Sequence, residues 1–265
     1  MTPALPELPV IRTLGGCGGT LLSRLFGALP RTVVLSETNP RSANLFGGHL
    51  NPLRQLRQWH PVLLEDVAEF DDAEIGYPPR FGEMLQGIRD AAIRYGYRLI
   101  LRDFSYADFI GIPFIWPAAA ESSLDAALAG RLMPRSIILV RHPAKQLASL
   151  RTHRALEHVL MAERYVEGAL TFLSACGEKP VFRYEDLMEH PEHVFRDMCT
   201  ALDVPFEAAA LTGFTDVITV TGSLARAAES RIAAGPPAPG TARAQAELDL
   251  MPGYAALLAK LGYTA

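Results

Sequence analysis

Apolar residues along this chain gather into short solid runs separated by stretches of helical spacing. That alternation predicts strands buried on both faces with helices packed between them. The run Leu8-Pro9-Val10-Ile11 opens a strand over 8–14, a helix follows over 20–29, and Thr32 to Ser36 forms the next strand. Such a compact βαβ unit favours a parallel sheet. Phe81, Met84, Leu85, Ile88, Ala92 and Tyr95 share one helical face, and Tyr97 to Arg102 follows as a strand. A helix is predicted from Ala118 to Leu132, leading into Ser136-Ile-Ile-Leu-Val-Arg, the clearest buried strand. A long helical pattern from about Ala144 to Ala175, interrupted near Arg154, precedes the short strand Val181 to Tyr184. Helices over Pro191–Leu202 and Pro252–Leu261 complete the pattern. The fold class is therefore α/β, a central parallel sheet flanked by helices in a single domain over 1–265.

Two segments break the alternation. Residues 39–80 are richer in Pro, Asn and Gly, with short helices predicted over Pro52–His60 and Pro61–Glu69. This excursion over the sheet edge is where a substrate pocket can be built. Residues 219–241 carry Arg226, Arg231 and the run Gly-Pro-Pro-Ala-Pro-Gly from Gly235 to Gly240, which predicts a mobile or irregular loop. Such a loop either closes two arginines over an anionic ligand or serves as an exposed polar connection.

Composition narrows the partners. With 49% hydrophobic and 20% charged residues over 265 positions, the chain is an ordinary globular protein. Its net charge of -4 offers no general attraction to nucleic acid or anionic membrane. Only Lys145, Lys179 and Lys260 are lysines, so the cationic side chains are nearly all arginine, from phosphate or sulfate recognition or from codon bias. Cys17, Cys176 and Cys199 are too few and too scattered for a disulfide framework or a zinc site. No leader pattern and no membrane-length apolar run is present, so a soluble cytoplasmic protein is expected.

The candidate chemistry begins at Gly15-Gly16-Cys17-Gly18-Gly19-Thr20, between the first strand and its helix. A glycine-rich turn there either cradles an anion on backbone N–H groups and the helix N-terminus, or simply turns the chain. It lacks the lysine of a Walker A loop, which argues against triphosphate hydrolysis. A thiol at a helix start can be activated, but Cys17 has no evident base partner in the sequence. The second candidate is Ile138 to Ser149, where Arg141 closes a buried strand and Ser149 lies two turns into the next helix. The fork of Arg141 and the hydroxyl of Ser149 suit a phosphate at the carboxyl edge of the sheet, unless Arg141 is ion-paired and Ser149 solvated.

These stretches resemble, in the expected order, the motifs of sulfotransferases that use 3'-phosphoadenosine 5'-phosphosulfate. Gly15 to Leu25 is similar to the loop that holds the 5'-phosphosulfate, Leu139-Val-Arg-His-Pro143 with Ser149 to the 3'-phosphate motif, and Phe182 to Leu187 with Pro191 to a supporting strand and turn. The resemblance implies a P-loop-like scaffold with a helical lid, and donor contacts from Gly16, Cys17, Gly18, Gly19, Thr20, Leu21, Arg141, Ser149 and Arg231. One departure stands out. Gly16 occupies the place where the family usually carries a basic residue, and Cys17 and Gly19 replace hydroxyl residues. Glu37, after the second strand, resembles the glutamate base of several members, with His49 and His60 as alternative bases and a helix cap as its structural role. Arg102 and Asp103 either orient the acceptor and hold Glu37 or form a structural ion pair, while His142 is taken as structural. The implied reaction is in-line sulfuryl transfer to a hydroxyl or amine of a small-molecule acceptor, leaving adenosine 3',5'-bisphosphate. No metal, nucleic acid or membrane is implied, and monomer and homodimer both stay open. Phe109 to Trp116, with Phe46, Trp59 and Tyr77, line an apolar or aromatic acceptor pocket or belong to the core. The competing readings are a noncatalytic binding protein on the same scaffold and a small-molecule phosphoryl transferase.

Overall fold

The computed structural model describes residues 4–222, 232, 235, 236 and 238–264. Its centre is a parallel sheet of five strands: β1 (Glu7–Thr13), β2 (Thr32–Thr38), β3 (Arg98–Phe104), β4 (Met133–Val140) and β5 (Val181–Arg183), in the spatial order β2-β3-β1-β4-β5. β1 pairs with β3 through Val10↔Leu101 and with β4 through Ile11↔Ile137. From β1 the chain runs out to β2 at the sheet edge, returns to β3 between them, then crosses to the other side of β1 for β4. Ligands in such sheets bind beyond the carboxyl ends of the strands, where that crossing opens a crevice.

Between β1 and β2 lies α1 (Gly19–Gly27); α2 (Pro52–Trp59), α3 (Asp72–Ile75) and α4 (Pro78–Arg94) come before β3. After β3 come α5 (Tyr106–Phe109) and α6 (Ser123–Leu128), and after β4 come α7 (Pro143–Arg151) and α8 (Ala162–Cys176). α9 (Tyr184–Glu189), α10 (Pro191–Ala201), α11 (Ala210–Gly213), α12 (Thr241–Leu248) and α13 (Tyr254–Leu261) follow β5. Alternation along each strand sends neighbouring residues to opposite faces. Ile11, Ile137 and Leu139 pack with Leu22, Leu25 and Phe26 of α1 and Phe195 of α10, whereas Leu8, Val10 and Leu101 pack with Phe81, Leu85 and Ile88 of α4. Among the described residues, no helix is long and apolar enough to cross a membrane.

Element boundaries differ from the predicted ones where side chains compete with the backbone. The interruption expected near Arg154 falls between α7 and α8, where Arg151 Nε donates to the Leu160 carbonyl (3.1 Å) and ties back the intervening turns. Leu156 and Leu160 are both buried there at a helix-like spacing, which makes the pattern look continuous. The helix predicted over 118–132 shortens to α6, which starts where Ser122 Oγ accepts from Asp125 N (3.1 Å) and gives way to Gly130 at φ +71°. Pro61–Asp66 is a 3-10 turn rather than an α-helix, and α12 was not foreseen.

Candidate functional site

The site is assembled at the carboxyl edge of β1, β3, β4 and β2. The chain leaves β1 through Leu14 to Gly18, and two of these residues take left-handed conformations, Gly16 at φ +80° and Gly18 at φ +90°. Side chains would also collide here. A Cβ on Gly18 would lie within 2.5 Å of Tyr184 Cε2, one on Gly19 within 2.8 Å of Arg102 Nη1, and one on Gly15 within 2.9 Å of Leu150 Cδ2. Gly18 is the N-cap of α1, no side chain caps that end, and its first turn holds no acidic residue. The helix therefore presents unsatisfied backbone N–H groups and the positive end of its dipole toward the crevice.

The carbonyls of the turn are held from the β4–α7 side. Arg141 Nη1 donates to the Gly16 carbonyl (3.1 Å), and Gln146 Nε2 to the Gly15 carbonyl (2.8 Å). Tyr165 OH in turn donates to Gln146 Oε1 (2.7 Å). The Arg141 guanidinium stacks 4.7 Å from the centre of the Tyr184 ring, and its buried Nε has no hydrogen-bond partner. Ser149 is buried on α7, one turn beyond Gln146. Thr20 sits in the first turn of α1 under Gly222, where a Cβ would strike Thr20 Oγ1; Leu21, next on α1, is partly buried against the core. Cys17 is 2% exposed, and burial pushes its thiol up to about 12, so it is protonated and inert at neutral pH.

Arg102 and Glu37 approach the turn from β3 and β2. Arg102 is 5% exposed and lies against Gly19 at the start of α1, which puts a cation beside the loop that lacks one at Gly16. Burial lowers its pKa from the ordinary arginine value, and the charge of Glu37 opposes that shift. Arg102 Nη2 is 3.6 Å from Glu37 Oε1 and donates to the Thr221 carbonyl (3.3 Å), while Nε is buried without a partner. Glu37 takes a left-handed backbone conformation, φ +58°, at an irregularity in the β2–β3 register. That conformation is costly for a residue with a side chain and persists only where neighbours enforce it. Gln55 of α2 enforces it here: its Oε1 accepts from Ser36 N and its Nε2 donates to the Ser36 carbonyl, each at 2.9 Å.

Asp103, adjacent to Arg102 along β3, points to the other face of the sheet. It accepts from Ser105 Oγ (2.6 Å) and Asn39 Nδ2 (3.2 Å) and faces Arg12 at 3.8 Å. Burial pushes its carboxyl up to about 7, against the opposing charge of Arg12. Asn39 Nδ2 also donates to Asp108 Oδ2 (2.9 Å), so this buried network fastens the start of the 39–80 excursion to β3 and α5. The Arg102-Asp103 pair is thus split, with Arg102 in the cleft and Asp103 in its support.

The alternative bases sit differently. His49 is exposed, and His60 caps the end of α2, where burial lowers its pKa. The His142 ring meets Tyr263 edge-on at 5.1 Å, its backbone N–H donates to Glu185 Oε1 (3.2 Å), and its buried Nδ1 has no partner among the described residues. An aromatic row runs from the glycine turn to the excursion: Phe104 and Tyr106 stack at 5.9 Å, Tyr106 meets Phe114 at 6.5 Å, and Phe114 meets Phe46 at 4.9 Å. Tyr106 is itself buried in the same core cluster as Phe109 and Ile110, with Phe104 and Phe114 packed against it, and Tyr77 and Trp116 are largely exposed. Arg231 lies outside the described residues. Among those described, no three His, Cys, Asp or Glu side chains converge as a metal-ligand set. Gln55, Gln146, Tyr184 and Thr221 were missed by sequence reasoning; Gln146 and Tyr184 stood inside recognised motifs without being singled out, and Gln55 and Thr221 did not.

A parallel sheet with a switch point and a glycine turn at a helix N-terminus defines an α/β fold with its crevice at the carboxyl edge. More particularly, it is the sulfotransferase fold. The chain is similar to the sulfotransferase domain from the curacin biosynthetic pathway, with 15% identity and a TM-score of 0.57 over 99% of each chain. It is equally similar in structure to the sulfotransferase domain of the Synechococcus PCC 7002 olefin synthase, with 18% identity and a TM-score of 0.57 over 100% of this chain and 98% of that one. No protein-family model matches the chain, and no curated protein matches it.

Proposed function

We propose that the protein is a sulfotransferase that moves a sulfuryl group from 3'-phosphoadenosine 5'-phosphosulfate to a hydroxyl or amine of a small-molecule acceptor, leaving adenosine 3',5'-bisphosphate. The observation that carries this reading is the pairing of Arg102 and Arg141, each with a buried Nε that has no acceptor among the described residues, on either side of a glycine turn at an open helix N-terminus. Unpartnered buried donors of this kind fit an anionic ligand. Gly16 to Leu21 would hold its 5' end, and Arg141 and Ser149 its 3'-phosphate, with Arg231 as a further proposed contact. The donor supplies an activated sulfuryl group with a phosphate as leaving group. Glu37 accepts the proton of the incoming acceptor, and Arg102, 3.6 Å away, holds that carboxylate toward the start of α1. The row from Phe104 to Phe46 lines the acceptor side. The three buried free cysteines are consistent with a reducing cytoplasm.

The test is acceptor-dependent release of adenosine 3',5'-bisphosphate from the full donor over a broad panel of alcohols, phenols and amines. Turnover that Glu37→Gln abolishes supports the reading. Gly16 in the place of a basic residue favours a second reading, a noncatalytic nucleotide-binding protein, which would bind the bisphosphate and turn over nothing.

A further inference from the structure

The proposed chemistry leaves one well-connected residue without a role. Thr221 stands at the end of a strap, residues 214–222, that runs along α1 toward the glycine turn. Arg24 of α1 secures the strap through bonds to the Val217 carbonyl (2.9 Å) and the Thr215 carbonyl. Gly222, the next residue along, rests on Thr20 at the opposite end of the same helix.

Thr221 makes four polar connections in the cleft. Its N–H donates to Ser36 Oγ (2.6 Å), its hydroxyl lies 2.9 Å from Ser36 Oγ and 2.7 Å from Glu37 Oε2, and its carbonyl accepts from Arg102 Nη2 (3.3 Å). Proton counting orders them. A carboxylate oxygen only accepts, so the single Thr221 hydroxyl proton goes to Glu37 Oε2, and in the 2.9 Å contact Ser36 Oγ then donates to Thr221 Oγ1 while accepting from the Thr221 N–H. The competing acceptor for the Thr221 hydroxyl proton, the Ser36 carbonyl, is farther away at 3.2 Å. The result is a one-way relay of donors, Thr221 N–H to Ser36 to Thr221 Oγ1, that ends on one carboxylate oxygen while Arg102 faces the other. Each bond in such a chain polarises the next.

We propose that Thr221 is a positioning residue: through Ser36 it fixes the Glu37 carboxylate beside Arg102, and its strap ties that hold to the first turn of α1. This rests on Glu37 being the base of the proposed transfer. Thr221 itself touches Glu37, Arg102 and Ser36 and takes no part in the chemistry. A carboxylate on a strained backbone needs its side chain held, and misplacing a catalytic group by about 1 Å can cost about 100-fold in rate.

The experiment compares wild type, Thr221→Val, Thr221→Ser and Ser36→Ala in two measurements. In steady-state transfer, Thr221→Val is expected to lower kcat about 10- to 100-fold with the donor KM within about threefold, and Thr221→Ser to restore most of the loss. The double variant Ser36→Ala/Thr221→Val is expected to be no worse than Thr221→Val alone, because the relay acts as one unit. Near-wild-type kcat in Thr221→Val, or failure of Thr221→Ser to rescue, overturns the proposal. Crystal structures of wild type and Thr221→Val with adenosine 3',5'-bisphosphate give an answer that does not depend on turnover. Departure of the Glu37 carboxylate from Arg102 in the variant supports positioning, and an unmoved Glu37 overturns it. Absence of transfer in wild type, with Glu37 displaced in Thr221→Val, refutes the enzymatic reading and leaves the positioning contact standing.

Discussion

Replacing Arg102 with methionine should separate stability from ligand binding. The guanidinium is 5% exposed, yet its contacts are long: 3.6 Å to Glu37, 3.3 Å to the Thr221 carbonyl, and none at Nε. Removing an ion from water costs several kcal/mol after relaxation, and contacts of this length return only part of it. Methionine has similar length and no charge, so Arg102→Met is expected to leave Tm unchanged or to raise it by about 2–4 °C for each kcal/mol recovered. Binding should move the other way. Loss of a charged hydrogen bond costs about 1.5–3 kcal/mol, which is about 10- to 150-fold in Kd for adenosine 3',5'-bisphosphate. Differential scanning fluorimetry and calorimetric titration of the same preparations read both. A fall in Tm of more than about 5 °C with an unchanged Kd would refute the reasoning and make Arg102 a structural ion-pair partner.

Three further outcomes follow from the same geometry. Gly18→Ala combines a left-handed backbone with a Cβ inside the Tyr184 ring, so it should cost about 2–4 kcal/mol in thermal melts and displace the Arg141 stacked on that ring, weakening bisphosphate binding. Asp103, raised to about 7 by burial, binds a proton in the folded protein at pH values where the unfolded chain has already released it. Wild type should therefore lose Tm relative to Asp103→Asn as pH rises from about 4 to about 7 and hold a constant difference above that, and a flat difference across the window would contradict the assignment. Cys17, Cys176 and Cys199 are all buried with thiols raised to about 12, so a chromogenic disulfide reagent at pH 7.5 should find no reactive thiol until the protein unfolds.

The inner strands were legible because their apolar runs are buried on both faces, whereas the short edge strand β5 is partly exposed; the glycine turn was legible because its position between strand and helix is local in sequence. Arg102, Glu37 and Arg141 were legible as residues at strand ends. Their orientations were less so: alternation along β3 sends Asp103 away from Arg102, into a network with Asn39, Asp108 and Arg12 that nothing local announces. Thr221 was illegible for a different reason. Its partners Ser36 and Glu37 lie 185 and 184 positions earlier, and a threonine in a plain stretch carries no signal until the fold closes that distance. Gln55 is hidden in the same way, since its role as a surrogate strand edge for Ser36 appears only when α2 packs beside β2.

The most direct measurement is calorimetric titration of the protein with adenosine 3',5'-bisphosphate, against adenosine 5'-monophosphate as the control without the 3'-phosphate. The account expects saturable binding of the bisphosphate, at least about tenfold tighter than the monophosphate, with that preference lost in Arg141→Ala. Equal affinity for the two nucleotides, or no binding of either at about millimolar concentration, would contradict it.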